Sequence, residues 1–236
     1  MNIPARVTRM SRELKLFAGA SLAMGAAYSV LDATFNNFLD ERYHLTGFQR
    51  SFLELPREMP GFLVVFVSAL LWFLCSRRLG ALALTLGMVG TLLVGFIPSN
   101  YAGMTVCLFV LSMGQHLFMP LSSTIGMELA REGQTGRRLG QLNAIRNFAT
   151  ILGSFVVFVG FRFLGFNFHH TFALTAIGLA VGVCLMLAMK RSEIKRPGHF
   201  LSLHREYRLY YFLNILSGSR KQIFITFAPW VIVTIF

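Results

Sequence analysis

The sequence predicts an all-α membrane protein that crosses the bilayer seven times. Seven apolar stretches, at about residues 16–39, 49–75, 80–97, 103–127, 139–162, 171–189 and 207–236, can each cross a hydrocarbon core that takes roughly 20 helical residues. Hydrophobic residues make up 55% of the 236 and charged residues only 14%, with 24 Phe and a positive mean hydropathy, which is not the composition of a soluble domain. The charge is also one-sided. When the spans are threaded alternately, 15 of the 22 basic residues fall on the N-terminal side and two, Arg42 and Arg162, on the other; five lie within spans. This positive-inside pattern puts the N-terminus in the cytoplasm of a cell membrane, plasma or inner. The net charge of +12 is therefore a topology signal and not a nucleic-acid footprint.

Span 1 is too long for the apolar core of a signal peptide and has no small-residue cleavage site behind it, so it stays as an anchor. Its Tyr28, Asp32 and Asn36 recur at four-residue steps and form one polar stripe. Span 2 carries Glu54, Arg57 and Glu58, interrupted by Pro56 and Pro60. Glu54 and Arg57 stand at i, i+3 and are expected to pair within the helix. Span 4 presents Ser112, Gln115, His116, Met119 and Ser123 on one face; span 5 presents Asn143, Arg146, Asn147, Thr150 and Ser154. Spans 3 and 6 carry nothing ionisable. Span 7 carries Asn214, Ser217, Arg220 and Lys221 and runs into Phe236 with no polar exit, which predicts the front part of something longer. The basic, Pro/Gly-interrupted stretch 190–206 suits a cytoplasmic linker. The predicted division is a six-span bundle over 1–189, this linker, and the first helix of a second bundle over 207–236.

The six leading spans fall into two triplets of the same order: polar, polar, apolar. Two triplets facing opposite ways across the membrane match the inverted three-helix repeat of some secondary transporters. The residues that carry a family likeness follow from there. They are Gly114 to Pro120 in span 4, Gly136-Arg137-Arg138-Leu139-Gly140 leading into span 5, and Cys75-Ser76-Arg77-Arg78-Leu79-Gly80 after span 2. On these, essentially the whole chain resembles a major facilitator superfamily transporter: the N-terminal six-helix domain, the central loop and the first helix of the second domain. Aligned on Gly80, Arg78 matches the first Arg of the family's loop motif. Arg77 stands where the motif has Asp, and Ala81 and Leu82 stand where it has a basic pair, so the family's charge cluster is not reproduced residue by residue. The span 4 Arg is replaced by Val110, and the span 5 Gly-Pro by Gly153-Ser154, which does not favour the drug/proton antiporter branch.

Charge inside a span is costly and is kept for a cavity or a partner. Asp32 reads either as a proton or ion site or as a structural carboxylate paired across spans. Whichever of Glu54 and Glu58 is left without a cation is a proton-carrier candidate, since burial raises a carboxyl toward neutrality. His116 is either a hydrogen-bonded core residue or a proton site. Arg146 cannot lose its charge and must meet a carboxylate, backbone carbonyls or an anionic ligand. The expected substrate-binding set is Tyr28, Asn36, Gln115, His116, Asn143, Arg146, Arg220 and Lys221; the expected proton-coupling set is Asp32, Glu54, Glu58 and His116. Deep cations (Arg57, Arg146, Arg220, Lys221) exceed deep carboxylates, which suggests a small organic anion moved by alternating access with proton coupling. Efflux of lipophilic compounds is the alternative. A seven-helix receptor or photoreceptor, suggested by Lys221, conflicts with the cytoplasmic N-terminus and the absence of an acid in span 3. Neither H-E-x-x-H nor G-x-S-x-G occurs, so no enzyme is expected. Cys75, Cys107 and Cys184 are scattered and suggest packing rather than a metal or cofactor.

Overall fold

A computed structural model describes residues 11–97, 100–192 and 205–209, with isolated positions 212, 213, 216, 228, 231 and 232. Among these it is all helical. Six helices run in order: α1 (Arg12–Tyr43), α2 (Gly47–Leu70), α3 (Ser76–Phe96), α4 (Tyr101–Glu128), α5 (Thr135–Phe163) and α6 (Phe168–Ala188), followed by a 3₁₀ turn at Arg205–Tyr207. Each of the first six expected spans has its helix. The seventh, with Arg220, Lys221 and Trp230, falls almost wholly outside the described residues.

Local chemistry sets the ends. Ser11 caps α1 by accepting from the Leu14 amide, and α1 stops where His44 turns left-handed at φ 47°. Thr46 and Gln49 form a capping box on α2. Asn167 and His170 do the same for α6. Five of the helices are long and apolar enough to cross a membrane; α2 is the exception, because Arg50, Glu54, Arg57 and Glu58 occupy its first half. It also ends at Leu70 rather than near residue 75. Trp72 and Phe73 lie exposed in the turn that follows, as aromatic residues do at a membrane interface.

The principal contacts are α1 with α5 and α6, α4 with α2 and α3, and α3 with α6. Exchanging α1, α2, α3 for α4, α5, α6 leaves this set unchanged, the pattern of two three-helix repeats. Close approach at the α3–α4 crossing depends on Gly114, where an added Cβ would lie 2.3 Å from the Gly87 amide nitrogen. The core divides by depth. On the side where α1 begins, here called the basic side, Phe17, Leu84, Phe118, Ile125 and Met186 pack together. On the far side Phe38 packs edge-on against Phe172 at 4.8 Å, beside Phe35, Leu53 and Met104.

The basic-side ends of four helices are clasped around Arg77. Its Nη1 donates to Glu13 Oε2 at 3.1 Å and to the Lys190 carbonyl at 2.7 Å, and its Nε stands 4.0 Å from Glu128 Oε2. Ser76 donates to Glu128 at 2.7 Å, and Arg78 donates to the Leu187 carbonyl. A charge cluster thus exists at the α2–α3 turn although the sequence lacks the family's pattern there. Its carboxylates come from α1 and α4 instead of the turn itself.

Candidate functional site

The far-side site is built on α2, which packs against α4. Arg50, one turn into α2, is 0% exposed. Its Nη1 meets Glu54 Oε1 at 2.5 Å and its Nη2 donates to Asn36 Oδ1 of α1 at 3.1 Å, while Nε has no hydrogen-bond partner among the described residues. Arg57 Nη1 lies 3.6 Å from the same Glu54 oxygen. The expected Glu54–Arg57 pair is therefore present but secondary, because Arg50 stands one turn closer to the buried side and takes Glu54 at shorter range. One turn further, His116 Nε2 of α4 stands 3.7 Å from Glu58 Oε2, and its ring packs on Gly61. Ser112 of α4 donates to the Arg57 carbonyl, and Tyr101 donates to the Gln49 carbonyl at 2.9 Å, so α4 secures α2 through its backbone as well.

Of the residues singled out in the sequence, Asn36, Glu54, Glu58 and His116 are brought into this one cluster. Asp32 is exposed on α1, within electrostatic reach of Arg57, and makes no hydrogen bond or ion pair among the described residues. Gln115 is half-buried on α4. Tyr28 turns away toward α3, its hydroxyl buried against Gly87 and without a hydrogen-bond partner among the described residues. Arg220 and Lys221 lie outside the described residues.

Asn143 and Arg146 stand elsewhere, on the basic-side half of α5. Arg146 is exposed and donates from Nη2 to Asn143 Oδ1 at 2.7 Å. The carboxylate or carbonyl partner expected for it is not found among the described residues; a neutral amide takes that place. Both side chains line a cavity of about 330 Å³ with Ser21 of α1, Ser122 and Ser123 of α4, and Leu139. The α1–α5 seam beside it is tight. A Cβ on Gly25 would lie 3.0 Å from the Arg146 carbonyl oxygen, and Ser29 donates to the Thr150 carbonyl at 2.6 Å.

Sequence reasoning missed Arg50. The signal was available: Arg50, Glu54 and Arg57 at i, i+4, i+7 share one helical face, and two cations flanking one carboxylate on that face point to a shared ion pair instead of solvated anchors.

No protein-family model matches the chain, and no curated protein matches it. Solved structures do. Tetrameric PepTSo2 superposes with a TM-score of 0.63 at 17% identity, over 94% of this chain and 51% of its own. A bacterial homologue of the human drug peptide transporters gives a TM-score of 0.60 at 18% identity, with 94% and 51% covered. An auto-inhibited POT family peptide transporter gives 0.60 at 15% identity, over 80% of this chain and 40% of its own. The chain spans about half the length of these proteins. It has the multi-pass helical fold of one part of such transporters, the major facilitator fold.

Proposed function

We propose that the chain belongs to a secondary transporter that moves a small solute by alternating access, with protons exchanged at the far-side cluster. The observation that carries this reading is the arrangement of Glu54, Glu58 and His116 with two arginines on the α2–α4 face of a transporter fold. Two guanidiniums compete for one Glu54 oxygen, and a histidine stands beside Glu58. Uptake of a proton by either carboxyl would release a cation or the imidazole and loosen the polar tie between α2 and its neighbours. In this reading residues 1–189 form one bundle, 190–206 a linker on the cytoplasmic basic side, and 207–236 the opening of a second bundle that completes the cavity. That the matched transporters are about twice as long as the matched region supports this division. The solute is a small carboxylate-bearing molecule. Short peptides fit that class, and so does the organic anion expected from the excess of deep cations.

Reconstitution of the full natural product into vesicles with an imposed proton gradient tests the reading. Labelled dialanine is expected to accumulate with the gradient, and Glu54→Gln with Glu58→Gln is expected to abolish accumulation while leaving solute exchange at equilibrium. Gradient-driven uptake that persists in the double variant removes the coupling role. Failure of the wild type to move peptides and small organic anions alike removes the transporter reading.

A further inference from the structure

The inverted repeat relates the two sites residue by residue. Glu54-x-x-Arg57-Glu58 on α2 recurs at the same spacing as Asn143-x-x-Arg146-Asn147 on α5. The correspondence extends through the packing. Three of the five buried positions of α2, Leu53, Pro60 and Val64, fall at the same steps on buried Leu142, Ala149 and Gly153 of α5; the other two, Arg50 and Pro56, fall on half-buried Leu139 and Ile145. The partner helices agree as well. Ser112 of α4 reaches the Arg57 carbonyl, and Gly25 of α1 abuts the Arg146 carbonyl. Four residues later in each partner, His116 of α4 packs on Gly61, and Ser29 of α1 bonds the carbonyl of Thr150, the residue that corresponds to Gly61. Asn36, which accepts from Arg50, has Ser123 as its counterpart, and Arg50 itself has Leu139.

The two copies differ in their charges. On α2 the central arginine has a carboxylate three residues before it and another directly after; on α5 both are amides. Arg146 keeps the intrahelical contact in neutral form, to Asn143 Oδ1, and so retains its full charge within a membrane helix. The volume that Arg50 fills in one repeat is left open in the other, where the shorter Leu139 stands at the edge of the 330 Å³ cavity. Ser122 and Ser123 line that space with the guanidinium, Ser21 lines it with its hydroxyl donated to the Phe17 carbonyl, and no carboxylate among the described residues lines it.

We infer that this basic-side cavity is an oxyanion site, in which Arg146 and the hydroxyls of Ser122 and Ser123 bind the carboxylate of a small solute where the paired repeat holds its own carboxylates. Identification of the ligand as a solute rests on the transporter reading; the oxyanion chemistry does not. A guanidinium offers the carboxylate two parallel donors, and Asn143 fixes the plane of that fork from one side. Along α1 the cavity at Ser21 and the cluster at Asn36 lie roughly 22 Å apart at 1.5 Å per residue, so recognition and proton exchange occupy opposite halves of one bundle.

Gly140 lines the cavity, and a side chain there meets nothing within 4 Å. A single thiol at Gly140→Cys, with Cys75, Cys107 and Cys184 changed to Ser in the full chain in phosphatidylcholine vesicles, reports occupancy through its rate of reaction with a neutral maleimide. N-acetylalanine is expected to slow that reaction about tenfold at saturation, the ratio carried by one charge-assisted hydrogen-bond pair, while N-acetylalaninamide leaves it unchanged. Arg146→Gln should abolish the protection and Arg146→Lys should keep part of it. Equal protection by the amide, protection that survives Arg146→Gln, or no protection in a correctly folded wild type each overturns the site; the last outcome means a carboxylate elsewhere in the protein neutralises Arg146. Slowing by added phosphatidylglycerol without slowing by N-acetylalanine makes it a headgroup site and overturns the solute assignment. Protection without solute uptake keeps the site and removes the transporter reading, and uptake without protection does the reverse.

Discussion

Helices α2 and α5 are built to one plan and charged to opposite ends. Both carry an arginine about three turns in, both bury leucine at the position four residues before it, and each offers its own backbone carbonyl to a serine on one helix from the other repeat. Helix α2 closes its arginine into an internal network in which Arg50 is wholly buried and Glu54 is shared. Helix α5 leaves its arginine exposed with an amide. The comparison shows that backbone packing fixes where a guanidinium goes, while two neighbouring side chains decide whether it is structural or available.

The comparison breaks most readily at Arg50. Arg50→Ala leaves Glu54 without its main partner in a buried setting and is expected to cost about 3 kcal/mol or more of thermal stability in detergent. Arg50→Leu combined with Glu54→Leu should recover most of that loss. A cost near zero for the single change would show that Arg50 is solvated and the network is not structural. Next is the α1–α5 seam, where Gly25→Leu drives a side chain against the Arg146 carbonyl and should cost about 2 kcal/mol, with Gly25→Ala costing less. Equal melting points for the wild type and Gly25→Leu would contradict the close approach. Asn143→Glu makes α5 resemble α2. It should pair with Arg146, add about 0.5 kcal/mol to stability, and remove protection of the Gly140→Cys thiol by N-acetylalanine. Protection that persists in Asn143→Glu would mean that the charge on Arg146 is not what the ligand reads.

The smallest expected effect separates both sites from the Arg77 clasp. Cys75 lies beside that clasp and is 5% exposed. Burial pushes its thiol up, but hydrogen bonds from the Arg78 and Arg77 amides and from Ser192 more than offset this, so its pKa lies below the ordinary thiol value. Once accessible it would carry more thiolate near neutral pH than an ordinary cysteine. Arg77→Ala should therefore speed maleimide labelling of Cys75 several-fold while costing only about 1 kcal/mol, since the clasp stands at a helix end where water and salt screen it. Unchanged labelling would place the closure of that end on apolar packing alone.

Most of the scaffold was legible in the sequence, because a membrane span is announced by its length and by the missing charge inside it. The repeat was legible as well, from the order of polar and apolar spans. Two features were not. Arg50 sits at the edge of an apolar run, where a basic residue usually anchors at the headgroups; its burial depends on Asn36, which only the α1–α2 turn brings alongside. The charge cluster at Arg77 was hidden for a related reason. Its acids, Glu13 and Glu128, are far away in sequence, so a motif read within the turn alone could not contain them. For Arg146 the sequence asked for a carboxylate, backbone carbonyls or an anionic ligand; among the described residues it meets the Asn143 amide at the edge of a cavity, a pairing that spacing alone did not single out.

The clasp at Arg77 gathers the ends of α1, α3, α4 and the segment after α6, and takes nothing from the bodies of α2 or α5. Those four helices are thereby bolted at one end into a frame, and the two arginine-bearing helices ride on its flanks like paired rails. Because the clasp takes no bond from either rail, displacement of α2 or α5 along the frame would leave its ion pairs intact.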